Sequence, residues 1–203
     1  MTGPRASGIV LAGGRSTRFG ADKLRADVRG RPLLEHPILA LAEVCGEVLV
    51  ALAADAPEPT LPGVAGVPIR IVRDAVDGAG PLAGLVAGLE AAGEGVALVV
   101  GGDQPDLRPE LLRLLVSSLG TGAAAVLADG DAPRSLPLVV RRDPALAAAR
   151  RVLGSERRSL LGVIFGLGAV VLPESTWRMA DPEGSWRRDV DRPEDLPGHR
   201  SVP

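Results

Sequence analysis

Two fixed cations and a set of carboxylates stand in this chain where a polyphosphate and a divalent metal could be held. Arg18 and Lys23 lie in the loop Gly13-Gly14-Arg15-Ser16-Thr17-Arg18-Phe19-Gly20-Ala21-Asp22-Lys23, directly after the apolar run Gly8-Ile9-Val10-Leu11-Ala12. Glycines let the backbone turn with positive φ and let a ligand come close. Successive N–H groups in such a turn can form an anion-binding nest. The loop is neither common phosphate signature: Gly14 and Gly20 are one residue too far apart for a P-loop, and the dinucleotide fingerprint is absent. The carboxylates come from elsewhere. Asp74 follows the run Ile69–Val72, Asp103 follows Val96–Val100, and Asp189 and Asp191 come late. Mg²⁺ favours one or two carboxylates with phosphate oxygens and waters, so this set suggests a metal–nucleotide site. Asp103 is the first candidate ligand, because the run before it reads as a central strand.

These residues need a scaffold that delivers them to one rim. Strand-like runs at Ile9–Ala12, Val48–Ala53, Ile69–Val72, Val96–Val100, Ala123–Ala128, Leu136–Val140 and Gly168–Leu172 alternate with helical patterns. The helices fall over Leu33–Cys45, where Pro37 must lie in the first turn or kink the helix, over Leu82–Ala92, from Pro109 onward, over Pro144–Val152 and over Leu160–Ile164. Such alternation predicts an α/β, Rossmann-like three-layer sandwich: a mostly parallel twisted sheet with helices on both faces. Ligands of open α/β sheets bind beyond the carboxyl ends of the strands. The loop, Asp74 and Asp103 all leave such ends.

Composition narrows the classes. The chain has 203 residues, which suits one domain over 1–203, with a tail after Leu196 expected to fray. A formal charge of −2 without a basic run argues against nucleic acid as a partner. No apolar stretch approaches the ~20 residues that cross a bilayer, and no signal peptide is evident. The one cysteine, Cys45, fits a reducing cytosol and packs as a small hydrophobe. The expectation is a soluble cytoplasmic protein.

The loop, read as L-A-G-G-x-S-x-R-F-G-x-D-K, resembles the signature of the molybdenum cofactor guanylyltransferase-like nucleotidyltransferases. Gly80-Pro81-Leu82-Ala83-Gly84-Leu85-Val86-Ala87-Gly88-Leu89 is similar to that family's G-P-L-A-G-x-x-A-G-L stretch. Asp189-Val190-Asp191-Arg192-Pro193-Glu194-Asp195-Leu196 resembles its late segment. The resemblance implies a nucleotide-diphospho-sugar transferase-like fold and transfer of GMP from Mg²⁺–GTP to the phosphate of molybdopterin. It implies nucleotide contacts from Leu11, Ala12, Gly13, Gly14, Lys23, Asp74, Gly80, Pro81, Gly84 and Asp103. Arg18 would neutralise pyrophosphate, Lys23 would meet the α-phosphate, and Asp103 with Asp191 would hold Mg²⁺. Arg157, Arg158 and Asp189 would meet the acceptor, and Arg134 and Ser135 lie where the family approaches it. Contacts with a molybdoenzyme or a cofactor-biosynthesis protein are also implied.

Some residues depart from that pattern. Gln104 and the Asp189–Asp191 pair lean toward cytidylyltransferase relatives, whereas the first loop and the Gly80–Leu89 stretch lean toward guanine. Cytidylyl transfer, sugar-phosphate nucleotidyl transfer and a non-catalytic cofactor-delivery protein are the competing readings. Trp177 and Trp186 either stack on a pterin or pack in the core.

Overall fold

The computed structural model describes residues 5–13, 23–74 and 80–196. Arg18 and Gly14 lie outside the described residues, as does the tail after Leu196. The strands are β1 (Ser7–Leu11), β2 (Asp27–Val28), β3 (Arg31–Pro32), β4 (Glu47–Leu52), β5 (Ile69–Arg73), β6 (Val96–Gly101), β7 (Ala124–Asp129), β8 (Ala132–Arg141) and β9 (Val170–Leu172). The helices are α1 (Glu35–Ala42), α2 (Pro81–Ala91), α3 (Pro109–Ser118), α4 (Arg142–Leu153), α5 (Leu160–Gly166) and α6 (Glu174–Trp177).

Seven strands form one sheet in the order β5-β4-β1-β6-β8-β7-β9, and β2 pairs with β3 in a separate hairpin. β1 runs parallel to β4 on one side and to β6 on the other, with Ile9 opposite Leu49 and Val99. β8 is antiparallel to both β6 and β7, and β9 is parallel to β7. Among the described strands of this sheet, only β8 therefore runs against the rest. The chain moves outward from β1 to β4 and β5, then returns to the other side of β1 with β6. That reversal is a topological switch point, where α/β sheets open a ligand crevice.

Side chains alternate across the sheet. Val10 joins the apolar layer under α1 and α3, while Ile9 joins the layer under α2, α4 and α5. Gly88 lets α2 lie directly on β1: an added Cβ would come within 2.6 Å of Ile9 Cγ2. Pro81 and Pro109 open α2 and α3 at their first positions, where a missing N–H costs nothing. Pro37 and Pro144 are third residues of their helices, still inside the first turn.

Trp177 and Trp186 are fully buried and meet edge to face, with centroids 5.5 Å apart. The Trp177 indole N–H donates to Ala128 O at 2.8 Å. Their rings are spent on the core, so the pterin-stacking alternative does not hold.

Glu47 staples the amino-terminal edge of the sheet. Its carboxylate accepts from Ser7 Oγ at 2.7 Å, from the Gly93 N–H at 3.1 Å and from Arg70 at 2.8 Å. Burial pushes this carboxyl up, but the Arg70 and Ser7 bonds outweigh it and leave it below its ordinary value. A lowered carboxylate contributes stability above the unfolded value of 4.5 and loses it as pH falls through the folded value. Glu47→Gln should therefore cost roughly 1 kcal/mol at pH 7 and less near pH 3. Urea midpoints at the two pH values check this; an equal cost at both would exclude the charge as the cause.

Candidate active site

The site assembles at the carboxyl ends of β1, β5 and β6. β1 ends at Leu11, and Ala12 and Gly13 follow it. The Gly102 N–H donates to Leu11 O at 3.0 Å, which ties the end of β1 to the turn after β6. The Asp74 N–H donates to Leu52 O, and Asp74 is only 7 % exposed. An added Cβ on Gly13 would lie 3.7 Å from Asp74 Oδ2. Gly13 and the Asp74 carboxylate thus share one corner of the rim. Gly80, with φ +62°, caps α2 at the same end of the sheet, in a conformation that favours glycine. Pro81 follows it, exposed. On α2, Gly84 faces Ala51 Cβ and Leu11 Cδ2, so its missing side chain serves helix-on-sheet packing.

Lys23 re-enters the structure as the first residue of a 3-10 turn, Lys23–Arg25. Its ammonium donates to Asp103 Oδ2 at 2.8 Å, to Val190 O at 3.1 Å and to Asp191 Oδ1 at 3.2 Å. Burial pulls the Lys23 pKa down, but the two aspartates more than offset this and raise it. Lys23 therefore stays charged across the physiological range.

The late aspartates reach the rim through a strap anchored from below. Buried Asp181 accepts from the Trp186 N–H and from Ser185 Oγ, each at 3.0 Å. The Val190 N–H then donates to Asp103 O at 3.0 Å. Val190 is fully buried against Val28 of β2 and Leu33, the residue after β3. In extended chain, neighbours point opposite ways. Burying Val190 therefore turns Asp189 and Asp191 toward the rim. Arg188 turns away with Val190 and pairs with Asp106 at 2.6 Å.

Asp189 lines a cleft of about 330 Å³ with Asp103, Asp191 and Arg134, walled by Pro133, Leu136 and Leu161. Arg134 donates to Asp189 Oδ2 at 2.9 Å. Burial, then repulsion from Asp103, raises the Asp189 pKa, against the pull of Arg134. Arg157 and Arg158 are exposed between α4 and α5 and do not line this cleft. The turn they occupy is closed locally, by Ser155 on Val152 O and by Ser159 capping α5. The structure does not bring that pair to the cleft that holds Asp103, Asp189 and Asp191.

A family model described as the MobA-like NTP transferase domain matches residues 8–165. The chain belongs to the MobA-like NTP transferase family. A relative from Chloroflexus aggregans named "Probable molybdenum cofactor guanylyltransferase" is 36 % identical over 195 residues, covering 94 % of this chain and 91 % of its own. Among solved structures, molybdopterin-guanine dinucleotide biosynthesis protein A from Archaeoglobus fulgidus superposes with TM-score 0.72 at 22 % identity, over 94 % of each chain. The 2-C-methyl-D-erythritol 4-phosphate cytidylyltransferase of Thermus thermophilus reaches 0.67 at 22 % identity, over 95 % of each chain. At these identities the two structures speak for the fold alone.

Within this MobA-like site, Gln104 has a role that its sequence position hides. It is 2 % exposed. Its Oε1 accepts from the Gly101 N–H at 2.9 Å, and its Nε2 donates to Trp186 O at 3.3 Å. It is a strut between β6 and the strap, with both ends of the amide in use. Its place in Asp103-Gln104-Pro105 gave no sign of this, because both partners are backbone groups. The strap's alternation of buried Val190 between two aspartates was a readable signal, since period-2 patterning marks one-sided burial.

Proposed function

We propose that this protein transfers GMP from GTP to the terminal phosphate of molybdopterin, giving the guanine dinucleotide and pyrophosphate. The observation that carries the reading is the meeting of Lys23, Asp103 and Asp191 at the switch-point rim, in a chain similar over most of its length to a relative named for that activity.

The reading includes Mg²⁺, and the donor set fits it. Asp103 and Asp191 aim oxygens at one cation, the Lys23 ammonium, and Val190 O adds a third oxygen. All are hard donors of the kind Mg²⁺ accepts. Among the described residues no three carboxylates or imidazoles form a closed cage. Mg²⁺ is an ion that keeps waters and takes phosphate oxygens beside one or two carboxylates. Asp103 and Asp191 would hold it, and it would supply neutralisation of phosphate charge.

The chain's own residues then position the reaction. Lys23 offsets charge gained at the α-phosphorus as a molybdopterin phosphate oxygen attacks it in line. The α-phosphorus–oxygen bond to the β-phosphate breaks, and pyrophosphate leaves with the electron pair. A phosphomonoester has a second pKa of about 6, so the attacking oxygen is already ionised at neutral pH and no general base is needed. Gly13 and Asp74 meet the nucleoside, and Gly80 and Pro81 place the start of α2 beside it. Gly14 and Arg18 are assigned to the triphosphate as the loop motif implies.

None of the three residues that leaned toward cytidine, Gln104, Asp189 and Asp191, lies at the Gly13–Asp74 corner. All three line the cleft beside Arg134, where Gln104 also accepts from the Gly101 N–H and Asp189 accepts from Arg134. The guanine reading therefore stands on the first loop and the Gly80 turn. Among the described residues no helix is long and apolar enough to cross a membrane, and we place the reaction in the cytoplasm. Calorimetric titration with GTP, CTP, ATP and UTP, with and without Mg²⁺, tests the reading. Mg²⁺-dependent binding of GTP well above the others is expected, followed by pyrophosphate release when molybdopterin is added. Preference for CTP would replace the guanylyl reading with the cytidylyl one.

A further inference from the structure

We propose that Asp106 is a positioning residue for the reaction centre: with Arg29 and Arg188 it forms a clasp that holds the three segments carrying Lys23, Asp103 and Asp191 in register. The inference rests on the nucleotidyl-transfer reading above and concerns how its centre is held.

The clasp is the rim with its charges exchanged. At the rim one cation, Lys23, joins two carboxylates, Asp103 and Asp191. In the clasp one carboxylate, Asp106, joins two cations: its Oδ1 accepts from Arg29 and its Oδ2 from Arg188, each at 2.6 Å. Each segment gives one residue to each cluster. Arg29 follows Lys23 at the turn of the β2–β3 hairpin, Asp106 follows Asp103 after β6, and Arg188 precedes Asp191 in the strap. Val190 stands between Arg188 and Asp191 in sequence. Its N–H donates to Asp103 O at 3.0 Å, and its side chain packs on Val28. The same three segments therefore meet again at Val190.

Burial and backbone set the clasp apart from an ordinary surface pair. The Asp106 side chain is 8 % exposed, against 53 % for Arg29 and 56 % for Arg188, so two outer guanidinia converge on an inner carboxylate. Among the described residues Arg29 is the one non-glycine with positive φ, at 53°. Such a conformation costs energy and persists where its surroundings hold it. Here the Arg29 guanidinium is held by Asp106 and by Pro105 O at 3.2 Å. The clasp lines a cleft of about 390 Å³, with Arg108 and Glu183 as its other charged groups, that shares no lining residue with the cleft of Asp189 and Arg134. Asp106 therefore acts through the backbone of its segments and not by touching substrate.

Amide hydrogen exchange by NMR, initial rates and GTP titration test the proposal on Asp106→Asn. The half-exposed arginines can turn to water, so this variant keeps its fold. Exchange at the Val190 N–H should quicken at least about tenfold through local opening, while the amides of β1 and β6 keep their wild-type rates. The kcat should fall about tenfold, as small misplacements of reacting groups do. The Kd for GTP without Mg²⁺ should stay within about twofold, because Gly13 and Asp74 lie away from the strap. Wild-type exchange at Val190, or a kcat loss below about threefold, would overturn the clasp. Faster exchange throughout β1 and β6, or weaker Mg²⁺-free binding of GTP, would make the effect a general loosening and overturn the positioning role. Arg29→Gly is the second variant, since glycine relieves the strained turn while it removes one arm. It should keep its Tm within about 3 °C and still show faster Val190 exchange and a lowered kcat; wild-type values of both would overturn the clasp. If the wild-type protein makes no dinucleotide, the functional reading fails by itself, and the clasp is judged by Val190 exchange in the two variants.

Discussion

Lys23→Ala should lower kcat/KM for nucleotidyl transfer by about 10²- to 10³-fold, the usual cost of removing a preorganised group that meets developing charge. The side chain is 13 % exposed and is gripped by two carboxylates and a carbonyl. It therefore keeps its place before any nucleotide arrives. Its loss leaves Asp103 and Asp191 facing each other across solvent. Asp191 is 62 % exposed, so water absorbs much of that cost. Folding stability should fall by no more than about 2 kcal/mol, between the values of surface and buried pairs. Thermal unfolding and initial rates on one preparation separate the two effects. A variant whose activity loss is fully explained by unfolding would remove Lys23 from the reaction. The freed carboxylates should also bind Mg²⁺ more tightly without nucleotide, visible as a larger Mg²⁺-induced rise in Tm than in the wild-type protein.

Asp103→Asn should have a comparable effect on turnover, about 10²- to 10³-fold, through the other side of the same contact. The exchange keeps side-chain shape, and the bond from the Val190 N–H goes to the Asp103 main-chain oxygen, so the strap stays docked. What changes is one charge and one hard oxygen donor. Half-saturating Mg²⁺ should rise at least about tenfold at fixed GTP, the range seen when metal-site groups are altered. The unfolding midpoint should move little. If the Mg²⁺ dependence of rate is unchanged while turnover drops, Asp103 acts through Lys23 alone and the ion belongs elsewhere.

The sheet was largely legible because its inner strands are buried on both faces, and such strands read as continuous apolar runs. β1, β4, β5, β6 and β7 stand within a residue or two of the runs that announced them. β8 was seen only in its second half. Residues Ala132–Leu136 are not fully buried and carry no apolar run, and nothing in Leu136–Val140 reveals that the strand is antiparallel. The β2–β3 hairpin escaped notice because each strand has two residues, and Arg29 with φ 53° occupies a turn position that glycine usually marks. In the site, Lys23, Asp103 and Asp191 were each nameable, but their contact spans 80 and 168 positions of sequence. Only the strand order and the docked strap bring them together. Gln104 was opaque for a different reason: the sequence offered it only as a point of family likeness, and its burial and backbone partners show in the fold alone.

The strap from Ser185 to Asp191 also sets a timetable for the chain. β1, which founds the sheet, leaves the ribosome first, and β4, β5 and β6 can join it while synthesis continues. Asp189, Val190 and Asp191 emerge some ninety residues after β6, so the rim acquires its last two carboxylates only when translation is nearly over. The strand ends that carry Gly13, Asp74 and Asp103 are therefore all synthesised well before the two carboxylates that complete the rim.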